Sequence, residues 1–313
     1  MRFHYSLSLL LAVLAATTIT CNSDPPKRLI NTPITTVAPA FIDDGADEES
    51  LTAILATHDL ATGHQRFAFV LIEAKGLVQL PITRIRSYYY PDGHTQRDTR
   101  QGPFEELVAR FHKFPLGKRG IYVVELNFIR SGDWSARISI PKADGSEAST
   151  EIFFPIPDRT LSPDRGDRPP SSDSRTINDV TSIAELTTGT YHDPELYGLS
   201  IAEGLNSDTP LVVVFASPAF CTNAICGPQV EVVSELRKKY GDLVNFIHVD
   251  LYQNPHEIQG DLGRAIVTPI LEEWRLKSQE WTFVIDRQGV VRGRFENFAP
   301  LVELERSIRS VIE

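Results

Sequence analysis

Cysteine and methionine are nearly absent, with three of the one and a single copy of the other among 313 residues. Residues 50–157 contain no cysteine, and the histidines there, His58, His64, His94 and His112 (His94 beside the Asp92-Gly93 turn), stand at spacings that do not converge on an ion. Surface histidines are therefore expected rather than a metal centre. Basic clusters are missing as well. The 31 Lys and Arg against 41 Asp and Glu give a net charge of -10, which argues against nucleic acid or an anionic membrane surface as partner. The apolar run Leu7–Ala16 is well short of the roughly twenty residues that span a bilayer.

What is present divides the chain into stretches of different composition. Residues 1–20, with Arg2 ahead of the short apolar core, read as an export signal, so the mature protein is expected to be extracytoplasmic. Cys21 directly after that core resembles the acceptor cysteine of bacterial lipoprotein signals, although Thr18 and Thr20 depart from the usual pattern. The resemblance implies lipidation at Cys21 and a membrane anchor. With Cys21 so modified, Cys221 and Cys226 remain as one pair with no odd thiol. Residues 21–49 are rich in Pro, Thr and Asp without an apolar period and read as a flexible tether.

From 50 to 157 the pattern is short strands with turn punctuation. Tyr122, Val124, Leu126 and Phe128 alternate on one face, as do Trp134, Ala136, Ile138 and Ile140 after Ser131-Gly132, and Asp144-Gly145 marks a hairpin. Phe104–Phe111 reads as helical. Tyr88, Tyr89 and Tyr90 offer either a binding edge or an ordinary alternation between core and surface. With Gly120-Ile-Tyr-Val and Gly132-Asp-Trp134, this half resembles the immunoglobulin-like sandwiches appended to bacterial envelope proteins, which implies an all-β sandwich. Residues 158–180, charged and rich in Pro and Ser through Ser174, read as a linker between two separable domains.

Residues 181–313 change period. A short helix is expected at Ser200–Leu205. From 209 onward the order is strand, helix, strand, a helix-rich stretch, two strands joined at Asp286-Arg-Gln-Gly289, and a last helix. The run Leu211–Phe215 leads into Ala-Ser-Pro-Ala-Phe-Cys-Thr-Asn-Ala-Ile-Cys226 and then into an amphipathic segment. A thiol at a helix N-terminus meets the positive end of the macrodipole, which favours its thiolate. A structural disulfide or two inert thiols would fit the same spacing.

Val214–Cys221 with Cys226, together with Thr282-Phe-Val-Ile-Asp-Arg-Gln-Gly289, resembles the active-site turn and penultimate strand of extracytoplasmic thioredoxin-like thiol:disulfide proteins. The resemblance implies an α/β thioredoxin-like fold with its core at 209–313. It also implies a nucleophile at Cys221, a resolving thiol at Cys226, no cofactor, and protein thiols or disulfides of the cell envelope as partners. Three departures stand out: four residues separate the cysteines where the family has two, Phe220 replaces a tryptophan, and Glu280 occupies the place of a cis-proline. Glu280 is either a solvated strand-edge residue or a third catalytic group acting on the sulfur pair. Two further readings remain open. Pro218 and Thr222 match part of a peroxidase motif, with Cys226 one residue late. A copper-delivery or partner-binding module would use the two cysteines with His248 or His256, or keep them as a structural disulfide.

Overall fold

The computed structural model describes residues 50–93, 100–115, 119–190, 192–220 and 226–313, the last range beginning with backbone alone at Cys226. The export signal, Cys21 and the tether therefore lie outside the described residues, as do His94 and Cys221.

The first half is built from β1 (Thr52–Leu55), β2 (Gly63–Glu73), β3 (Gly76–Leu77), β4 (Ile82–Tyr90), β5 (Gln101–Lys113), β6 (Gly120–Phe128), β7 (Gly132–Pro141) and β8 (Glu147–Ile156). These strands are not split between the two facing sheets of an immunoglobulin-like sandwich. They form one antiparallel sheet in the order β1-β2-β6-β5-β4-β7-β8, with β3 paired to β2. Strands of nine to thirteen residues carry enough right-handed twist for the sheet to curl upon itself until β1 and β8 touch. The inward face encloses Phe67, Phe69, Tyr122, Phe128 and Trp134, all fully buried. Phe104–Phe111, expected as helix, lies in β5, because pairing with β4 and β6 outweighs the helical leaning of Glu-Glu-Leu-Val-Ala-Arg. The three tyrosines leave no open binding edge. Tyr88 and Tyr90 are buried, and Tyr89 packs on Trp134 with ring centroids 5.3 Å apart.

The second half holds α1 (Ile201–Leu205), β9 (Leu211–Phe215), α2 (Cys226–Tyr240), β10 (Asn245–Val249), α3 (Pro255–Ile258), α4 (Ile270–Glu273), β11 (Trp281–Ile285), β12 (Val291–Glu296) and α5 (Leu301–Ile312). Ser200 caps α1 by accepting from the Glu203 amide, and the Glu203 carboxylate accepts in return from the Ser200 amide. The sheet order is β10-β9-β11-β12, with β10 parallel to β9, and β11 antiparallel to both β9 and β12. This strand order, with a helical crossover between the parallel pair and a hairpin between the last two strands, is the thioredoxin topology. All five residues of β9 are buried, because helices cover both faces.

The stretch 158–174, expected as a loose linker, is fastened at intervals by hydrogen bonds to both halves of the chain. Ser162, Ser172 and Ser174 are buried because each has a hydrogen-bond partner. The Ser162 amide and hydroxyl donate to Asp59 Oδ2 at 2.9 and 2.7 Å, Trp274 Nε1 donates to Ser172 Oγ at 3.0 Å, and the Ile201 amide donates to Ser174 Oγ at 2.9 Å. The Gly166 amide donates to Val291 O, and the Val291 amide to Asp167 O, each at 2.9 Å. The outer face of the curled sheet also joins the thioredoxin-like core. Ala68, Phe114, Ile121 and Val123 belong to the cluster that contains Val214, Val233 and Phe298, and Phe114 meets Phe298 at 4.7 Å between ring centroids. Buried Arg66 of β2 completes the contact. Its Nη1 donates to Glu296 O at 2.9 Å, its Nη2 to Phe298 O at 2.7 Å, and its guanidinium pairs with Glu303. From residue 50 onward the described residues accordingly cluster as one compact unit rather than two bodies on a string.

Candidate functional site

The site forms at the C-terminal end of β9. The chain leaves the strand through Ala216 and Ser217, and the Phe220 amide donates to Ser217 O at 3.2 Å. Residues 221–225 lie outside the described residues, and α2 then opens at Cys226. The first helical turn has no intrahelical partners for its amides, so the backbone at Cys226 sits at the positive end of the helix. Pro228 is accommodated there because it needs no amide partner. The pairing of Cys221 with Cys226 also lies outside the described residues, as does the Cys226 side chain.

Two carboxyl groups bracket the start of this turn at Ala216. Val249 of β10 pairs with Phe215 on one side and Trp281 of β11 pairs with Phe215 on the other, so Asp250 and Glu280 both lie level with Ala216. Strand alternation assigns both to the sheet face covered by α2, where Gln229 Nε2 donates to Thr282 Oγ1 at 3.3 Å. Glu280 is 1 % exposed, which corrects the expectation of a solvated strand edge. Neither of its carboxyl oxygens has a hydrogen-bond partner among the described residues. Burial pushes its pKa up to about 8, against a weaker downward pull from the Arg66 charge. The carboxyl is therefore mainly protonated at neutral pH.

Asp250, singled out by no sequence motif, is 4 % exposed and well provided with donors. The Thr188 amide donates to its Oδ2 at 2.7 Å and the Thr188 hydroxyl at 2.9 Å, while the Tyr252 amide donates to Oδ1 at 3.2 Å. Burial raises its pKa to about 6, with the Thr188 and Tyr252 amides opposing the rise. Thr188 Oγ1 also lies 3.0 Å from Ser217 Oγ and accepts from the Ala219 amide at 3.2 Å. The segment before α1 is thereby fastened across the turn. The one sequence signal for Asp250 was a charge ending the apolar strand Phe246-Ile-His-Val; nothing marked Thr188 as its partner.

His248, weighed as a copper ligand, is buried with both ring nitrogens engaged: Nδ1 lies 2.7 Å from Tyr197 Oη and Nε2 2.9 Å from Ala216 O. Burial lowers its pKa to about 4, so the ring is neutral and structural. His256 is half-exposed on α3, 3.9 Å from Glu257. Among the described residues no group of three or more His, Cys, Asp or Glu is placed to hold a metal, and no helix is long and apolar enough to cross a membrane.

No family model and no curated protein matches this chain. Solved structures similar to it include one described as a thiol:disulfide interchange protein DsbE from Chlorobium tepidum, 16% identical, with 49% of this chain and 100% of that chain covered at a TM-score of 0.35. A thioredoxin-family thiol:disulfide interchange protein from Chlorobium tepidum TLS is 14% identical, with 48% and 99% covered at a TM-score of 0.34.

Proposed function

We propose that the chain is a thiol:disulfide exchange protein of the cell envelope, anchored through lipid on Cys21, in which Cys221 is the nucleophile, Cys226 the resolving thiol and Glu280 the group that moves protons. The observation that carries this reading is the bracketed turn. A cysteine opens the helix after the central strand of a thioredoxin topology, and a buried carboxyl with no partner among the described residues stands beside that turn. Its pKa of about 8 lies close to the roughly 8.5 of an ordinary thiol, so a proton passes between carboxyl and sulfur with little bias in either direction.

In the proposed reaction the Cys221 thiolate attacks one sulfur of a partner disulfide. That S–S bond breaks, and the other partner sulfur leaves, taking a proton from the Glu280 carboxyl. Cys226 then gives its proton back to the Glu280 carboxylate and attacks Cys221 Sγ. This step releases the second partner sulfur, which is protonated by solvent. Two electrons pass to the partner, which ends as two thiols, while the pair ends as a disulfide.

The test is trapping. Cys226→Ser should accumulate a mixed disulfide with a peptide disulfide, visible by intact mass, and Cys221→Ser should not. Glu280→Gln should slow turnover by about 100-fold while leaving the trapped complex formable. Absence of any mixed disulfide from both cysteine variants would sink the reading. Anchoring is checked separately, since Cys21→Ser should move the exported protein from the membrane fraction to the soluble one.

A further inference from the structure

A cleft of about 200 Å³ opens beside the turn, between the end of β10, the start of α4 and the segment around 173–186. That volume is below the range of cofactor and drug-sized sites, roughly 300 to 1,000 Å³, and suits one extended side chain. The cleft borders the reacting turn directly. Tyr252 in its wall packs edge-on against Phe220, the residue before Cys221, with ring centroids 6.3 Å apart. Asp250, also in its wall, is joined through Thr188 to the Ala219 amide.

Its charge is one-sided. Asp173, Asp250 and Glu273 line it, together with Glu185, which is already paired with the single guanidinium of Arg175 at 3.5 Å. That guanidinium is already committed, since Nη1 donates to Gln253 O at 2.8 Å and to Glu185 O at 3.2 Å. Asp173 is exposed and has no hydrogen bond or ion pair among the described residues, and Glu273 uses only one oxygen, accepting from the Ser172 hydroxyl. Free acceptors, committed donors and an aromatic wall make a receptor for a cation. Next to the cleft, the loop 262–267 leaves Leu262, Ile266 and Val267 each at least 41 % exposed. The same loop is fastened to the cleft wall by the Gln253 amide donating to Ile266 O at 2.8 Å.

We infer that the cleft receives a lysine or arginine side chain of the partner polypeptide, close in sequence to the cysteine that reacts at the turn, while the exposed apolar loop holds an apolar neighbour. This rests on the exchange reading above for the identity of the partner, and its test is independent of exchange. Fluorescent peptides carrying serine in place of cysteine and differing only in Lys, Glu or Leu at one flanking position are titrated against the full mature chain by anisotropy. The Lys peptide should bind at least tenfold tighter than the Glu peptide, and its advantage should shrink between 50 mM and 500 mM salt. Asp173→Lys should bring the ratio to about one, whereas Asp92→Lys, an equal charge change on the curled sheet, should leave it. Equal binding of all three peptides, a preference for Leu, or a ratio unmoved by Asp173→Lys would overturn the assignment. Because the peptides cannot react, loss of exchange chemistry would leave a Lys preference standing, and exchange without that preference would remove only the cleft.

Discussion

Asp250 and Glu280 flank Ala216 from opposite sides and are almost equally buried, yet their chemistry differs because one has donors and the other has none among the described residues. Asp250 receives two amides and a hydroxyl, and its pKa stops at about 6. Glu280 receives none among the described residues, and its pKa reaches about 8. Burial penalises the charged form on both sides, and hydrogen bonds offset part of that penalty on one side only. The satisfied group fastens the segment before α1 to the turn. The unsatisfied one is kept neutral and able to exchange a proton, which is the condition a proton carrier needs.

The sharpest way to separate them is by pH. Both folded pKa values lie above the ordinary carboxylate range, so the native state holds protons that the unfolded chain has lost, and stability falls as pH rises. The fall due to Asp250 is spread over about pH 4 to 6, and that due to Glu280 over about pH 4.5 to 8. Glu280 alone should cost on the order of 4 kcal/mol across its window. In urea denaturation Glu280→Gln should match the parent at pH 5 and be clearly more stable at pH 8. A parent whose midpoint does not move between those pH values would show that Glu280 is not held neutral.

Truncating the other side should have the opposite sign. Asp250→Ala leaves the Thr188 and Tyr252 amides without an acceptor in a buried setting, at a cost of about 3 kcal/mol measured at pH 5. Equal tolerance of Asp250→Ala and Glu280→Gln would erase the distinction. In exchange kinetics the inflection near pH 8 should vanish in Glu280→Gln and persist in Ser217→Ala, since Ser217 acts on the Asp250 side, both directly and through Thr188. The smallest effect expected is the stability change in Ser217→Ala, about 1 kcal/mol for one buried hydrogen bond, and a loss above 3 kcal/mol would mean that Ser217 holds more than this contact.

Much of the second half was legible because its signals are local. The apolar run 211–215, the Asp286-Arg-Gln-Gly289 turn and the short helix at Ser200–Leu205 each depend on signals within a few residues, and each lies where it was expected. The first half was legible as strands and faces but not as a shape. Period-two alternation marks which side chains turn inward, and it is the same whether strands divide into a sandwich or curl as one sheet. The linker was misread because composition counts serines as unburiable, whereas Ser162, Ser172 and Ser174 meet partners far along the chain.

By itself, the sequence determined the strand and helix periods of the second half, the position of Cys226 at the head of α2 and the oddity of a glutamate before β11. These follow from chemistry within one turn or one strand. Only the tertiary structure decided that Glu280 is buried and unpartnered, because the pairing of β11 with β9 and the clamp of Arg66 from a strand more than two hundred residues earlier close the space around it. It likewise decided that Asp250 is satisfied, by a threonine 62 residues upstream. Whether a buried charge is tolerated depends on which donors reach it, and donors that arrive from distant parts of the chain leave no trace in the residues next to it.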